Sequence, residues 1–454
     1  MDLREDSSEG RFAGYVEGLV SVLGHADRAK PLRDYCVGLL MPCERKSVEP
    51  MAALTAPERT AAQHQSLLHF VGEGRWSDEK VLSKVRELVL PKIEAHGPVE
   101  AWIIDDTGFP KKGTHSVGVA RQYCGQVGKQ DNCQVGVSLS LANHHASLPV
   151  AWQLYLPKDW AEDGERRGKA GVPQEIDFQT KPEIALEQVC RACEAGLPRG
   201  VALMDPAYGN DARLRLGVTV LGLTYVAGIQ SNCLMWRSGV APKRGSKPPT
   251  KKGRRDEPDL MSAKELALGL PRKTWRTVRW REGSADWLCS RFARLRVQVG
   301  HRHRQPQAPL QEWLLIEWPQ GEAEPTKYWL STLPEPISFR RLVDLANYVG
   351  AASAIIRTSS RRSGSATTKA EDGAARSPNG RRFPPQLHVP PRCSRRLSYP
   401  IVSDPEALPL RPERHIPNSI ATMRRRLINA LVTTLPRCPC CGARRLTPIN
   451  LMTQ

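Results

Sequence analysis

Asp105, in "AWIIDDTGFPKKG", and Asp205, in "VALMDPAYGN", each stand directly behind a run of apolar residues and directly ahead of turn-forming ones. Such a run reads as a buried strand, and in an open α/β sheet ligands collect at the carboxyl ends of strands. The plainer reading of "IIDDTG" is a strand that stops in an Asx-type turn, with Asp105 or Asp106 bonding its own backbone. Two acids so far apart in the chain meet only if their strands are neighbours. If they meet, their repulsion calls for a hard divalent cation, which oxygen ligands suit. A pair of Mg²⁺ or Mn²⁺ ions held this way activates a water and stabilises the leaving oxygen of a phosphodiester.

The elements that must position these acids follow from apolar spacing. Residues 1–95 carry helix-like periods in "AGYVEGLVSVLG", "LRDYCVGLLM", "QHQSLLHFVG" and "DEKVLSKVRELVLPKIE", which predicts an all-helical N-terminal domain. Ser77 is placed to cap the last of these, with Asp78 and Glu79 in its first turn. From residue 98 to 230 strand signals alternate with turns and with helical "KPEIALEQVCRACEAG" and "NDARLRLGV", so a mixed α/β sheet is expected. Residues 231–326 read as a β-rich region, with strands at "WRTVRWREG", "FARLRVQVGH" and "EWLLIEWP" around a solvated loop, "APKRGSKPPTKKGRRDE". "KYWLSTLP" resumes the sheet and "SFRRLVDLA" begins a helix that closes the core.

Composition narrows the function. The net charge is +19 over 454 residues, which favours a polyanionic partner, most simply nucleic acid. Residues 347–454 hold 18 lysines and arginines against 5 acids, so +13 of that charge lies in the last part of the chain. The polar start and the lack of a long apolar run predict neither a secretory leader nor a membrane span, and the 12 scattered cysteines read as reduced thiols. A cytoplasmic protein is expected.

The stretch "AWIIDDTGFPKKGTHSVGVARQYCGQVGKQDNCQVGVSLSLA" closely resembles bacterial insertion-sequence transposases of the IS701 group, relatives of the IS4 superfamily. "YCVGLLMPCERKSVEPMAA", "ERTAAQHQSLLHFV", "LPVAWQLYLPKDWA", "YWLSTLP" and "RRLVDLA" extend the resemblance over residues 30–346. It implies an RNase H-like core over residues 96–346 with the β-rich insertion at about 231–326, and DDE-type strand cleavage and transfer with Mg²⁺ or Mn²⁺. It puts the first acid on Asp105, with Asp106 the second choice, and the second acid on Asp205. Lys111, Lys112 and Arg121 then become candidate phosphate contacts, as do Lys251, Lys252, Arg254 and Arg255 of the basic loop. The partners implied are terminal inverted repeats and target DNA, bound by a homodimer in the bacterial cytoplasm, at the nucleoid. The helical residues 1–95 would help to bind the repeats.

The third acid of such enzymes should follow "RRLVDLA" on a helix written roughly "KLRWRIERDYQELKQELGLDHYEGRGWRG". Here the chain reads "NYVGAASAIIRTSSRRSGSATTKAEDGAARSPNG", without a helical period. Read one nucleotide out of phase, the codons of residues 346–375 permit "KLRWRSERDYQDLKQEVGLGHYEGRGWRG". Residues 347–400 are accordingly read as an out-of-frame segment and 401–454 as a basic tail back in frame, where "IATMRRRLINALVTTL" has helical spacing. Glu371, Asp372 and Asp344 are poor substitutes for the lost carboxylate. Impaired strand transfer is expected, and two rival readings stay open: a non-catalytic DNA-end-binding product that restrains an intact transposase, and an RNase H-like nuclease unrelated to transposition.

Other candidates carry bland expectations. Cys438, Cys440 and Cys441 lack a paired knuckle for zinc, and Cys190 with Cys193 should pack against the sheet. His144 and His145 read as turn residues, and Trp275, Trp280, Trp287, Trp313 and Trp318 as part of a β core rather than a base-stacking platform.

Overall fold

A computed structural model describes residues 7–41, 47–237, 260–282, 287–299, 311–348 and 420–437. The segment read as out of frame, beyond its first two residues, the basic loop with Lys251, Lys252, Arg254 and Arg255, and Cys438, Cys440 and Cys441 lie outside the described residues. The chain divides into two compact units, Met1–Leu88 with Ser360–Gln454, and Val89–Ser359.

In the first unit, α1 (Ser8–Val20), α2 (Ala29–Leu40), α3 (Val48–Thr55) and α4 (Thr60–Gly72) are followed by α5 (Asp78–Glu94), which runs across the division. Ser77 does cap α5, its hydroxyl accepting from the Lys80 N–H at 3.3 Å. Leu19, Leu23, Leu32, Phe70 and Val71 form one apolar centre. The last described helix, at Ile420–Thr434, packs Ile428, Leu431 and Val432 against Met41 and Leu54. The expected basic tail therefore contributes apolar core to this unit, because its helical period puts those three residues on one stripe.

The second unit is built on a sheet with twelve strands among the described residues. They are β1 (Ala101–Pro110), β2 (Ala120–Cys124), β3 (Lys129–Ala142), β4 (Ser147–Leu154), β5 (Val201–Met204), β6 (Tyr225–Ile229), β7 (Leu234–Arg237), β8 (Met261–Ser262), β9 (Arg276–Glu282), β10 (Trp287–Val299), β11 (Gln311–Trp318) and β12 (Lys327–Ser331). Their order is β2-β3-β1-β5-β6-β12-β11-β10-β7-β8, with β4 on β3 and β9 on β10. Only β1, β5 and β6 run parallel to one another; every other pairing is antiparallel. Strands of the β-rich region thus continue the same sheet, joined through the β11–β12 pair.

Short helices α6 (Lys158–Glu162) and α7 (Gly164–Lys169) precede α8 (Lys181–Glu194); α9 (Pro206–Gly209) and α10 (Ala212–Val220) follow β5, and α11 (Ala263–Leu268) follows β8. A further helix, α12, spans 339–348. Parallel β1 is covered on both faces, which is why "AWII" is apolar without alternation: Ala101, Trp102, Ile103 and Ile104 are all at most 1% exposed. Ile103, Leu203 and Val226 face Leu342, Val343, Leu345 and Ala346 of α12. Toward β3 the sheet is covered by α8, whose buried Gln188 donates to the Val137 carbonyl at 3.1 Å. Among the described residues no helix is long and apolar enough to cross a membrane.

Candidate metal-dependent phosphodiester site

Two neighbouring parallel strands bring the sequence-distant acids together. β1 and β5 pair Ile103 with Leu203 and Ile104 with Met204, so the next step along each strand is Asp105 and Asp205. Asp205 keeps extended backbone, with φ −79° and ψ 176°. Side chains alternate along strands, and Ile103 and Leu203 lie in the cluster under α12. Asp105 and Asp205 therefore issue on that same face, at the same level. Asp106 issues on the other.

β1 does not stop at its acids. It pairs with β3 from Ala101–Ala142 to Pro110–Cys133, so the expected strand end is the end of the parallel segment only. The Asx alternative survives in part: Asp105 Oδ1 accepts from the Asp106 N–H at 2.8 Å inside the strand. One consequence concerns Lys111 and Lys112. Lys111 lies six residue steps from Asp105, about 20 Å along extended chain, so neither lysine stands beside the acids. Arg121 is exposed on β2, paired with Asn132 of β3.

The turn after Asp205 is held from three sides. Asp205 caps α9, Oδ1 accepting from the Ala207 N–H at 2.9 Å and more weakly from Tyr208 at 3.4 Å. A Cβ on Gly209 would stand 2.0 Å from the Gly228 carbonyl oxygen, so glycine is required for this turn to lie against β6. Beneath it, Arg215 donates to the Gly209 carbonyl, and Tyr225 donates to Glu312 of β11 at 2.6 Å. Arg215 and Glu312 are each 4% exposed, a buried charged group tied to the backbone of the Asp205 turn. Sequence reasoning missed it, since Arg215 sits in an ordinary helical pattern and Glu312 at the start of an ordinary strand.

Electrostatics mark the acids as one cluster. The Asp205 carboxyl is raised, first by burial and next by the negative charge of Asp105, while the Ala207 and Tyr208 N–H groups pull it back. Burial and then the charges of Asp106, Asp105 and Asp205 push the Tyr208 phenol far up, so it stays protonated and donates to Asp106 Oδ2 at 3.4 Å. Lys181 Nζ lies 2.9 Å from the same oxygen. Neither Lys181 nor Tyr208 was singled out in the sequence.

The donor set suits a hard divalent ion: two carboxylates on one face, already in mutual repulsion. Mg²⁺ is commonly held by one or two carboxylates together with phosphate oxygens of its substrate. Among the described residues no group of three His, Cys, Asp or Glu is arranged to hold a metal. Asp344, on α12, lies 3.9 Å from Arg340 as an ion pair. Cys190 and Cys193 are half-buried free thiols on α8, and His144 and His145 are exposed in the β3–β4 turn. Trp313 packs against the sheet core between Arg294 and Arg296, at 4.5 and 4.9 Å, and Trp275 meets Trp318 edge to face. The side chains of Trp280 and Trp287 lie outside the described residues.

Comparison with known proteins bears on the chemistry. A family model described as "DDE superfamily endonuclease" matches residues 18–286, a range that includes Asp105 and Asp205. A probable transposase for insertion sequence element IS701 from Microchaete diplosiphon is 28% identical over 197 residues, covering 43% of this chain and 47% of the relative. The similarity thus spans about half the length of that relative.

Proposed function

The chain belongs to the DDE superfamily endonucleases, and from that premise we propose that it derives from an insertion-sequence transposase of the IS701 group, acting on terminal inverted repeats by divalent-metal-dependent strand cleavage and transfer. The observation that carries this reading is the pairing of Asp105 and Asp205 on one face of adjacent parallel strands. The strand order β4-β3-β1-β5-β6, with only the last three parallel, supports an RNase H-like core.

In this mechanism Asp105 and Asp205 would hold Mg²⁺ or Mn²⁺, which when bound would supply Lewis acidity at a phosphate oxygen and a more acidic water or 3′-hydroxyl. The chain's own work is positioning: the α9 cap and the Arg215 contact fix Asp205, and β3 pairing fixes Asp105. Lys111, Lys112, Arg121 and the basic loop, with Lys251, Lys252, Arg254 and Arg255, are proposed to contact DNA away from the reacting phosphate, in a homodimer that pairs two ends.

The third carboxylate belongs to the frame-shifted segment, so the chain as written is proposed to be deficient in strand transfer. That deficiency favours, as second reading, a product that binds transposon ends without cutting and restrains an intact enzyme. The test compares the present chain with one whose frame is restored after Ala346, on duplexes carrying the element's own ends with Mg²⁺. Cutting only by the restored chain, lost in Asp105→Asn and Asp205→Asn, is expected. Cutting by the present chain refutes the deficiency, and no cutting by the restored chain refutes the function.

A further inference from the structure

We propose that Lys181 is a DNA-phosphate contact at the edge of the Asp105 and Asp205 pair, and that Asp106 is the positioning residue that holds its ammonium there. The inference rests on the transposase reading and adds a residue that the basic candidates picked from sequence do not include.

Topology delivers Lys181 to this place. Lys181 opens α8, the helix that leads into β5 and bonds β3 through Gln188 at Val137, whose register partner on β1 is Asp106. The start of α8 is fixed by a capping box in which Thr180 and Glu183 bond each other's backbone N–H groups. The side chain of Lys181 therefore leaves from a set point, and Nζ reaches Asp106 Oδ2 at 2.9 Å, 75 residues away in sequence. The Tyr155 ring lies 5.5 Å from Nζ, and the Tyr208 hydroxyl shares the same carboxylate oxygen at 3.4 Å.

A purely structural ion pair is the alternative, and exposure and valence weigh against it. The Lys181 and Asp106 side chains keep 25% and 21% of their surface, so the pair is open to solvent on one side. A phosphate oxygen can approach. An ammonium has three donors, and Asp106 takes one of them. Local charge argues the same way. Asp105, Asp106 and Asp205 place three carboxylates within electrostatic reach of one another, as their joint effect on Tyr208 shows. Phosphate entering that cluster meets net repulsion unless cations are held in it, and Lys181 supplies one. The consecutive pair Asp105–Asp106 then has a division of labour across the strand: one acid faces Asp205, the other faces α8.

The test is the salt dependence of binding to a fluorescein-labelled duplex carrying the element's terminal repeat, followed by anisotropy in chelator with the full chain. Removing one phosphate contact reduces the slope of log K against log salt by about 1. Lys181→Ala and Lys181→Gln are expected to show that reduction, Lys181→Arg to keep the native slope, and Asp106→Asn to abolish most of the difference made by Lys181→Ala. An unchanged slope in folded Lys181→Ala and Lys181→Gln overturns the proposal, because a structural pair alters stability without altering counterion release. Mn²⁺ binding separates the two readings. Loss of the slope with Mn²⁺ binding unaffected by Asp105→Asn and Asp205→Asn leaves the phosphate contact standing and removes the metal site. A wild-type chain that binds no duplex removes both.

Discussion

Replacing Asp105 by asparagine should stabilise the metal-free protein while removing its response to metal. Asp105 and Asp205 lie on hydrogen-bonded parallel strands, which are about 5 Å apart. Two unit charges at that spacing repel by roughly 1 kcal/mol in a water-like medium and roughly 3 kcal/mol at an effective dielectric constant near 20. The acids are half-buried, so the higher figure is the nearer one. Asparagine keeps the oxygen that accepts from the Asp106 N–H. For a unit of this size 1 kcal/mol moves Tm by about 2–4 °C. The sign of the pH dependence follows from Asp205. Its carboxyl is raised in the folded protein, so the fold binds that proton more tightly than the unfolded chain does. Stability therefore falls as pH rises from the ordinary carboxylate range through the raised value, and the cost is fully present above it. Asp105→Asn should shrink that loss. Thermal melts in chelator across that pH window, then with excess Mn²⁺, measure both effects. At a hundredfold excess over Kd the native protein gains about 2.7 kcal/mol, and the variant should gain far less. If Asp105→Asn melts at or below the native temperature in chelator and keeps the full metal-induced rise, the two acids neither repel nor share an ion.

Three further perturbations probe the support of the site. Gly209→Ala drives a Cβ to 2.0 Å from the Gly228 carbonyl, backbone against backbone, so a loss of about 1–3 kcal/mol with weakened Mn²⁺ binding is expected by melting and titration. Arg215→Met leaves buried Glu312 with the Tyr225 hydroxyl and the charge of Arg296, which should cost about 3 kcal/mol in denaturant unfolding. Burial already raises Glu312, and loss of the Arg215 charge raises it further, so the damage should be smaller in acid, where the carboxyl is protonated, than at neutral pH. Thr180→Ala removes half of the capping box on α8 and should lower stability by about 1 kcal/mol in the same assay.

The fold was legible where one period dominated. Buried "AWIID", "GVALMD" and "TYVAGIQ" are the three parallel strands, and continuous apolar character is what burial on both faces demands. What could not be read was partnership. Nothing local in "EWLLIEWP" says that β11 pairs with β12 and so carries the β-rich region into the same sheet, because strand pairing is decided by contacts distant in sequence. The helix at Ile420–Thr434 is a similar case. Its charge and helical period suggested a basic tail, and Leu431 and Val432 are buried against residues some 380 positions earlier, Met41 and Leu54.

At the site, what sequence conveyed was the acid at the end of an apolar run, and what it withheld was the face. Asp105 and Asp106 differ by one residue, which in a strand is the difference between opposite sides of the sheet. Apolar spacing alone does not tell which of them shares a face with Asp205, and only resemblance favoured Asp105, because the choice depends on β1 continuing extended through both, and that depends on β3 supplying partners as far as Cys133. The lysines mislead for the same reason. "DDTGFPKKG" looks like a tight turn that folds Lys111 back on the acids, whereas an unbroken strand carries it away, and the ammonium beside Asp106 is that of Lys181. Proximity in sequence was no guide to the chemistry here; across the parallel pair register, rather than spacing along the chain, set the acids side by side.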